Sequence, residues 1–291
     1  MKIFRWLSGK KPVAPHKEEE APPEDSSVQK KAKAESIKKQ RKKKLDRVRP
    51  FLRSEPLDQT DTGALDFLSP EIREKFGVID TDNVSAHGYD RFARELIDKY
   101  SDGLVLDCGS GLRSDYLGNV VNYEIVPYLT TDVIGVAEEL PFKDETFDAV
   151  LSLNVLEHLK DPFSAASEIS RVLKKNGQLF CVVPLLQPVH GYPSHYYNMT
   201  AEGLKNLFTP MLKIDKQEII ASGLPVFALT WMISSWANGL QGKIREDFLN
   251  MPLKEFLVQP EQLINQPFVK SLGREKNFEL ASTTALWGTK E

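Results

Sequence analysis

Apolar residues recur along the chain in two patterns that predict strands and helices. Short unbroken apolar runs are typical of strands buried on both faces, and apolar residues three or four positions apart are typical of helices. The predicted strands are 103–107, 120–125, 132–137, 147–153, 178–183, 212–220 and, as a late candidate, 278–287; the predicted helices are 69–76, 88–100, 162–175 and 201–208. Strands alternating with helices predict an α/β fold, a doubly wound and mostly parallel sheet.

Charge is distributed unevenly along the 291 residues. The first 49 hold 16 Lys and Arg against 7 Asp and Glu, whereas the other 242 carry a net charge of −12. Four prolines and a basic run with few apolar residues predict a disordered basic tail over 1–49. Because the basic excess is confined to one end, a uniformly basic nucleic-acid-binding protein is excluded. The tail is either a solvated tether or an arm that contacts a membrane or another polyanion, assisted by Phe4 and Trp6.

The remaining composition indicates a globular protein of a reducing compartment. The chain has two cysteines, Cys108 and Cys181, and no signal-peptide pattern at its start, so we expect a cytoplasmic location. The charge-free stretch 219–242 has the length of a membrane span, but Pro225 and several Gly, Ser and Asn residues dilute it. It predicts a buried strand followed by a helix capping a pocket; the alternative is a surface helix that dips into a membrane or a lipid substrate.

A glycine-containing turn follows the first buried strand. Residues 105–111 read V-L-D-C-G-S-G, so Asp107, Gly109 and Gly111 lie at the carboxyl end of a predicted parallel strand. Glycine lets the backbone approach a ligand closely, and a carboxylate can accept from an ammonium. A dinucleotide fingerprint would place a third glycine where Ser114 stands. The pattern therefore favours a smaller ligand with a ribose and an amino-acid end.

Later motifs agree with that choice. Glu124 ends the second strand, where a carboxylate can bind ribose hydroxyls. The segment E-E-L-P-F (138–142) follows the third strand, and F-D-A-V-L-S-L, L-E-H-L and K-N-G-Q-L-F-C-V-V-P follow in order. With these motifs, the chain resembles class I S-adenosylmethionine-dependent methyltransferases, and within them the small-molecule subfamily of ubiquinone and sterol type. The match is strong over 88–220 and weak over 278–290.

This resemblance implies a seven-stranded Rossmann-like sheet whose last strand is antiparallel, and S-adenosyl-L-methionine as the cofactor. By position, it assigns the methionine end of the cofactor to Asp107, Gly109 and Gly111 and the ribose to Glu124. It places Ala137 and Glu138 beside the adenine and Asn154 under the cofactor. One departure is Val136, which stands where the family often has an Asp for the adenine amino group. The short links between the first three strands also leave room for turns in place of helices.

The segment 184–200 gathers polar and aromatic residues after the fifth strand. His190 and His195 are the predicted catalytic residues, because either imidazole could take a proton from an acceptor hydroxyl near neutral pH. A rigid loop with hydrogen-bonded histidines is the alternative. The spacing of the two histidines, without a third ligand nearby, is a poor metal site, so no metal is expected. Glu157 and His158 are interpreted as helix-start residues and Cys108 as a core thiol.

The predicted organisation is a tail (1–49), a helical lead-in (50–98) and a methyltransferase domain (99–291) whose residues 221–270 form a capping insertion. The predicted activity is methylation of an oxygen or carbon atom of a small molecule, a lipid or a sugar. Two other functions stay open. One is a non-catalytic protein that binds S-adenosylmethionine or S-adenosylhomocysteine as a partner or regulator, and the other is an NAD-dependent oxidoreductase, which Ser114 disfavours.

Overall fold

The computed structural model describes residues 26–79, 85–191 and 194–290. The chain divides into two compact units, Met1–Val182 and Val183–Glu291. The predicted domain 99–291 is therefore split between Val182 and Val183. The parts of the predicted tail before residue 26 lie outside the described residues.

The first unit holds the strands and four of the helices. Its strands are β1 (Asp58–Gln59), β2 (Leu65–Asp66), β3 (Ala86–His87), β4 (Val105–Cys108), β5 (Leu112–Arg113), β6 (Val120–Glu124), β7 (Val133–Ile134), β8 (Phe147–Leu153) and β9 (Leu173–Val182). Its helices are α1 (Ser26–Val48), α2 (Pro70–Phe76), α3 (Arg91–Lys99) and α4 (Pro162–Val172), with 3-10 turns at Arg49–Phe51 and Leu156–His158. The side chains of Ser69, Asp90 and Asp161 cap α2, α3 and α4 by accepting from backbone N–H groups.

Seven strands form one sheet in the order β1-β2-β7-β6-β4-β8-β9, within the described ranges. β1 and β2 are antiparallel, and every other neighbouring pair of this sheet is parallel. The run β7-β6-β4-β8-β9 has the order 3-2-1-4-5 in chain sequence, which is the arrangement of a doubly wound fold. The predicted mostly parallel seven-stranded sheet is confirmed. β3 and β5 form a separate parallel pair.

The edge strands differ from the prediction. The antiparallel strand is β1, from the segment predicted as a helical lead-in, which also supplies β2. The segment 212–220 forms no strand, because its charged residues pair locally, Lys213 with Asp215 and Lys216 with Glu218, and it has no buried face. The late candidate 278–287 is also wrong: it begins inside a helix, and Leu286 and Trp287 are exposed.

Residues 26–48 of the predicted disordered tail form the helix α1. One face of α1 is buried, at positions spaced by three and four residues: Ile37, Arg41, Lys44, Leu45 and Val48. Composition alone misses this helix because two of its five buried side chains are basic.

A single carboxylate, Asp132, receives both basic side chains. Lys44 Nζ lies 2.7 Å from Asp132 Oδ2, and Arg41 Nε lies 3.3 Å from Oδ1. Arg41 also donates to two backbone carbonyls, and Tyr116 donates its hydroxyl to Asp132. Burial lowers the pKa of Lys44, and Asp132 opposes that shift. Asp132 lies in the link between β6 and β7 and Tyr116 in the link between β4 and β6, and within the described residues neither link contains a helix, so α1 packs against both.

The sheet core positions the ends of β4 and β8. Ala93 and Ile97 of α3 pack with Val105 of β4 and with Ala149 and Leu151 of β8. On the side of β9, α4 buries Ala165, Ala166, Ile169 and Val172. These contacts fix the two central strands, and so the residues that follow them.

The second unit is helical in its described residues. Its helices are α5 (Ala201–Phe208), α6 (Pro225–Asn238), α7 (Gly242–Leu249), α8 (Pro267–Lys270) and α9 (Arg274–Leu280), with 3-10 turns at Ala221–Gly223, Leu253–Phe256 and Pro260–Gln262. Its small core contains Ala237, Leu240, Phe248, Phe268 and Leu272. Within the described ranges, every helix is too short or too polar to cross a bilayer. The capping role of 221–270 stays a prediction.

Candidate functional site

The carboxyl ends of β4 and β8 meet at the point where the strand order reverses. β4 pairs with β6 on one side and with β8 on the other. The strands that follow β4 in the chain, β6 and β7, lie on one side of it, and β8 and β9 lie on the other. In doubly wound sheets, ligands bind in the crevice at this point. The residues that follow the two strands are Gly109–Gly111 and Asn154–Glu157.

Both glycines after β4 have left-handed backbone. Gly109 has φ 76° and Gly111 has φ 61°. A Cβ on Gly109 would lie 2.4 Å from Val155 Cγ2, and one on Gly111 would lie 2.6 Å from the carbonyl oxygen of Ser85. Glycine is therefore required here by backbone geometry and by contact with protein atoms, before any ligand is considered.

Asp107 is fully engaged by side chains of its own unit. Arg113 donates from Nε to Oδ2 at 2.7 Å and from Nη2 to Oδ1 at 3.0 Å, and Tyr89 donates its hydroxyl to Oδ2 at 2.7 Å. Burial by itself lowers the pKa of Arg113, but Asp107 outweighs it and the net shift is upward. The predicted contact of Asp107 with a ligand ammonium stays a prediction, since both of its oxygens already accept. The sequence patterns did not identify Arg113 and Tyr89 as site residues, although Arg113 lies only two residues after Gly111.

Glu124 ties the end of β6 to the glycine turn. Its carboxylate accepts from the backbone N–H of Gly111 at 2.8 Å and of Ile125 at 2.8 Å. Burial raises the pKa of Glu124, and these backbone donors oppose the shift. The structure thus brings Asp107, Gly109, Gly111 and Glu124 together at one edge of the sheet, and their contact with a ligand stays a prediction.

The predicted adenine side follows β7. Val136, Ala137 and Glu138 are all buried, and the hydroxyl of Tyr123 donates to the carbonyl of Val136 at 2.8 Å. Burial raises the pKa of Glu138. The side chain of Val136 offers no polar group, so recognition here would depend on backbone and on packing. Tyr123 was a further residue that the sequence did not single out.

The segment after β8 contains one buried carboxylate without a hydrogen-bond partner. Asn154 is exposed and has φ 56°. Glu157 is 0% exposed, and neither of its oxygens has a hydrogen-bond partner. His158 Nε2 is 3.9 Å from Glu157 Oε1. Burial raises the pKa of Glu157 to about 8.

An unpaired buried carboxyl group is costly to the fold, and such groups concentrate at functional sites. Glu157 does belong to a 3-10 turn, Leu156–His158, as the interpretation as a helix-start residue implied. Neither oxygen has a donor in hydrogen-bond geometry, and the backbone N–H of Glu157 itself only partly offsets the effect of burial on the pKa of the carboxyl group. Glu157 therefore joins the candidate site, although its place in the sequence was interpreted as a helix start.

The second unit contains the two predicted catalytic histidines. His195 Nδ1 accepts from the backbone N–H of His190 at 3.2 Å, and its Nε2 faces Asn198 Oδ1 at 3.0 Å. His190 Nδ1 lies 2.9 Å from the carbonyl of Pro188, which makes Nδ1 the protonated nitrogen and puts the acceptor lone pair on Nε2. The ring of His190 also packs on Trp231, with centroids 5.0 Å apart. Both histidines are thus held by contacts inside the segment 184–200, and His190 also by its contact with Trp231.

The central strands match a known family. Residues 104–181, from the residue before β4 to the penultimate residue of β9, match the methyltransferase domain family. Over 95 residues the chain is 39% identical to an uncharacterized protein of Methanocaldococcus jannaschii, covering 28% of this chain and 41% of that protein. Over 63 residues it is 41% identical to an uncharacterized methyltransferase of Schizosaccharomyces pombe, covering 22% of this chain and 23% of that protein.

The chain therefore spans less than half the length of these two relatives. Among solved structures, a possible histamine N-methyltransferase of Thermotoga maritima is 20% identical over 42% of this chain and 70% of that chain, with a TM-score of 0.29. The YcgJ protein of Bacillus subtilis is 16% identical over 53% of this chain and 87% of that chain, with a TM-score of 0.34.

Proposed function

We propose that this chain, whose residues 104–181 match the methyltransferase domain family, is an S-adenosylmethionine-dependent methyltransferase. The acceptor atom is an oxygen or a carbon of a small molecule, a lipid or a sugar. The observation that carries the proposal is where the family match falls. It covers β4 to β9 and includes both the glycine turn and the unpaired Glu157.

The residues present suit this cofactor, with one reassignment. S-Adenosylmethionine has a positive sulfonium, an ammonium, a ribose diol and an adenine ring. Glu157 is a buried carboxyl group without a partner, which a nearby cation would satisfy. Asp107 already has its partners, so in this proposal it fixes the turn through Arg113, as a positioning residue.

Glu124 would bind the ribose, Ala137 and Glu138 would line the adenine, and Asn154 would lie under the cofactor. When bound, S-adenosylmethionine supplies an electrophilic methyl group on a sulfonium. The protein then contributes alignment and exclusion of water and, for a hydroxyl acceptor, a group that takes the proton. At Gly109 and Gly111 the backbone has a left-handed φ, and a Cβ at these positions would collide with Val155 and Ser85 respectively.

Either His190 or His195 is the proposed proton acceptor, since an imidazole can take a proton from an acceptor hydroxyl. Within the segment 184–200, His195 Nδ1 accepts from the backbone N–H of His190, and His190 Nδ1 lies beside the carbonyl of Pro188. We expect the Gln variant of the histidine that takes the proton to lower the turnover number of a hydroxyl acceptor at least tenfold with little change in KM. The Gln variant of the other histidine should mainly raise KM, because it loosens the loop. An acceptor carbon would leave both variants close to wild-type turnover.

Binding of the cofactor is tested by calorimetry with S-adenosylmethionine, S-adenosylhomocysteine and NAD. We expect the first two to bind and NAD not to bind. Because the pKa of Glu157 is raised to about 8, a cation held beside it would displace its proton near pH 7. The binding enthalpy of S-adenosylmethionine should therefore depend on the buffer, and this dependence should disappear in Glu157→Gln. Glu95→Gln, on the exposed side of α3, is the matched control.

Transfer itself is tested with cofactor labelled in the methyl group and cell extracts as the source of acceptors. A labelled product supports the enzyme. Cofactor binding without any product from any extract would instead support a non-catalytic binding protein, and binding of NAD alone would support an oxidoreductase. We also propose that the basic tail 1–49 contacts a membrane or another polyanion. This contact does not depend on the methyl transfer.

A further inference from the structure

Buried polar side chains connect the helix α1 with the candidate site. They form a row that lies wholly in the first unit, and each member is 4% exposed or less: Arg41, Lys44, Asp132, Asn122, Thr130, Arg113 and Asp107. A buried polar group is stable only while it is hydrogen-bonded, so each member of this buried polar row restricts the position of the next. The row therefore offers a physical connection between α1 and the glycine turn.

Asp132 joins α1 to the strand β6. Its Oδ2 accepts from Lys44 Nζ at 2.7 Å and from the backbone N–H of Asn122 at 2.9 Å. The backbone N–H of Asp132 in turn donates to the carbonyl of Asn122 at 2.8 Å. Asn122 pairs in register with Asp107 of β4 and lies two residues before Glu124. A displacement of Asp132 would therefore reach the ends of both strands that border the candidate site.

Thr130, in the link between β6 and β7, extends the connection to β5. Its carbonyl accepts from Asn122 Nδ2 at 2.7 Å, and its hydroxyl oxygen accepts from the backbone N–H of Arg113 at 3.0 Å. The helix reaches this point as well, because Arg41 Nη2 donates to the carbonyl of the preceding residue, Leu129, at 2.6 Å. The guanidinium of Arg113 then binds the buried carboxylate of β4. Two routes thus run from α1 to the residues that shape the glycine turn.

The helix α1 stands where crossover helices are usually found. In a parallel sheet, the connections between strands usually contain a helix, but the links from β4 to β6 and from β6 to β7 contain none among the residues that the structure describes. Instead, Lys44 of α1 contacts Asp132 in one link and the ring of Tyr116 in the other. We infer that α1 positions the candidate cofactor site, with Lys44, Asp132 and Thr130 as the positioning residues. This role rests on the proposed function, since it makes the affinity for S-adenosylmethionine depend on the docking of α1.

Positioning differs from simple stabilisation in what it changes. A helix that only stabilises the fold raises the free energy of unfolding, and the protein that remains folded binds the cofactor as before. A helix that positions the site changes the affinity of the folded protein and the local opening of the glycine turn. Affinity and local opening are therefore the two quantities to measure.

Lys44→Met removes the ammonium group and keeps the contact of Arg41 with Asp132. We expect the dissociation constant of S-adenosylhomocysteine to rise about fivefold or more. Calorimetry measures it, on protein shown to be folded by circular dichroism. Val172→Ala is the control for lost stability, because Val172 is fully buried at the end of α4 and outside the row, and it should change the constant by less than about twofold. Equal losses in the two variants would show a general effect of stability and would overturn the inference.

Thr130→Val keeps the shape of the side chain and removes the oxygen that accepts from Arg113. It should also weaken binding about fivefold or more, whereas Thr130→Ser keeps the hydroxyl and should stay within about twofold. Thr146→Val is the matched control, because Thr146 is also buried in this unit and its hydroxyl donates to the carbonyl of Lys143. Lys44→Met combined with Thr130→Val should lose less affinity than the product of the single losses. Losses that multiply would show two independent effects and would overturn the connection.

Hydrogen exchange of backbone amides tests the same connection without a cofactor. The N–H of Gly111 donates to Glu124 Oε2 at 2.8 Å, so its exchange reports the opening of the glycine turn. Relative to the amide of Val150 in the central strand β8, it should exchange about tenfold faster in Lys44→Met and in Thr130→Val than in wild type. An unchanged ratio in both variants would overturn the inference, whether or not a cofactor binds. A wild-type chain that binds no S-adenosylhomocysteine would overturn the proposed function instead, and the exchange ratio would still decide the role of α1.

Discussion

Two buried carboxyl groups have opposite surroundings: Asp107, inside β4 near its carboxyl end, and Glu157, in the 3-10 turn that follows β8. Asp107 and Glu157 are both 0% exposed. Asp107 accepts two bonds from Arg113 and one from Tyr89, whereas Glu157 accepts none. Of the two carboxyl groups near these strand ends, Asp107 therefore has hydrogen bonds from the protein on both oxygens, and Glu157 has none.

The difference separates a residue that builds the site from one that is available to a ligand. A buried ion pair with hydrogen bonds on every oxygen adds rigidity, and it leaves at most one acceptor position of Asp107 for a substrate or a cofactor. A buried carboxyl group without partners costs stability and is retained where function needs it. Asp107 stands in the more familiar motif, yet Glu157 has the chemistry of a ligand-binding group.

The largest effect should come from Asp107→Ala. This change leaves the guanidinium of Arg113 buried without its carboxylate, which costs about 3–5 kcal/mol of the free energy of unfolding. Urea unfolding followed by circular dichroism measures the loss. The double variant Asp107→Ala with Arg113→Met removes both charges and should recover part of it. A loss under about 1 kcal/mol in the single variant would mean that the pair does not hold the turn.

The next effect concerns Glu157 and has the opposite sign at high pH. Burial raises the pKa of this carboxyl group from 4.5 to about 8 in the folded chain. In the unfolded chain, Glu157 loses its proton at a lower pH than in the folded chain. The contribution of Glu157 to the free energy of unfolding is therefore fully present below about pH 4.5. It declines as pH rises toward 8, by up to about 1.4 kcal/mol per pH unit.

Glu157→Gln should remove this decline, so the variant should be more stable than wild type at pH 8 and similar to it at pH 4. Urea unfolding at several pH values measures the slope. Glu95→Gln, at an exposed position, should keep the wild-type slope. A wild-type curve that stays flat between pH 5 and 8 would contradict the contrast between the two carboxyl groups.

Sequence patterns predicted the central sheet well because its strands are recognisable locally. The strand at 147–153 and the helix at 201–208 were predicted to the residue, since the apolar runs carry their own boundaries. The helix α1 was missed for a physical reason. Its buried Arg41 and Lys44 depend on Asp132, 91 and 88 residues away, and no local composition reveals a partner at that distance.

The sequence could place the candidate residues at the strand ends but could not predict the bonds between them, and their roles toward a ligand stay predictions. The glycine turn and Glu124 could be placed because turn chemistry and strand ends are visible in the sequence. The pairing of Asp107 with Arg113 could not be predicted, because it depends on how the chain continues from the glycine turn into β5, which contains Arg113. The unpaired state of Glu157 is likewise invisible, since it reflects what packs around the side chain and not the residue itself.

The contact between the two strand ends gives an intermediate effect. Gly109→Ala would force a Cβ onto Val155 and place alanine at a left-handed φ, at a cost of about 2–3 kcal/mol. Val155→Ala in the same chain removes the two Cγ atoms that collide, leaving Cβ at 3.1 Å, and does not relieve the backbone strain. Chemical unfolding of the two single variants and the double variant measures the coupling, which should be favourable by about 1 kcal/mol. Simple additivity would show that Gly109 is required by its backbone angle alone.

The smallest effect should come from Tyr89→Phe. This variant tests how much of the stabilisation of the Asp107 carboxylate comes from Arg113 and how much from the Tyr89 hydroxyl. The variant removes one neutral donor to Oδ2 and leaves both guanidinium bonds in place, so we expect a loss of about 1 kcal/mol in unfolding free energy. Tyr100→Phe, whose hydroxyl makes a longer bond of 3.3 Å to Gln178, is the matched control and should lose less. If Tyr89→Phe cost as much as Asp107→Ala, the hydroxyl and not the ion pair would be holding the carboxylate. The contrast with Glu157 would then be one of hydrogen bonding, with charge pairing contributing little, because a single neutral donor would suffice to satisfy a carboxylate at this edge of the sheet.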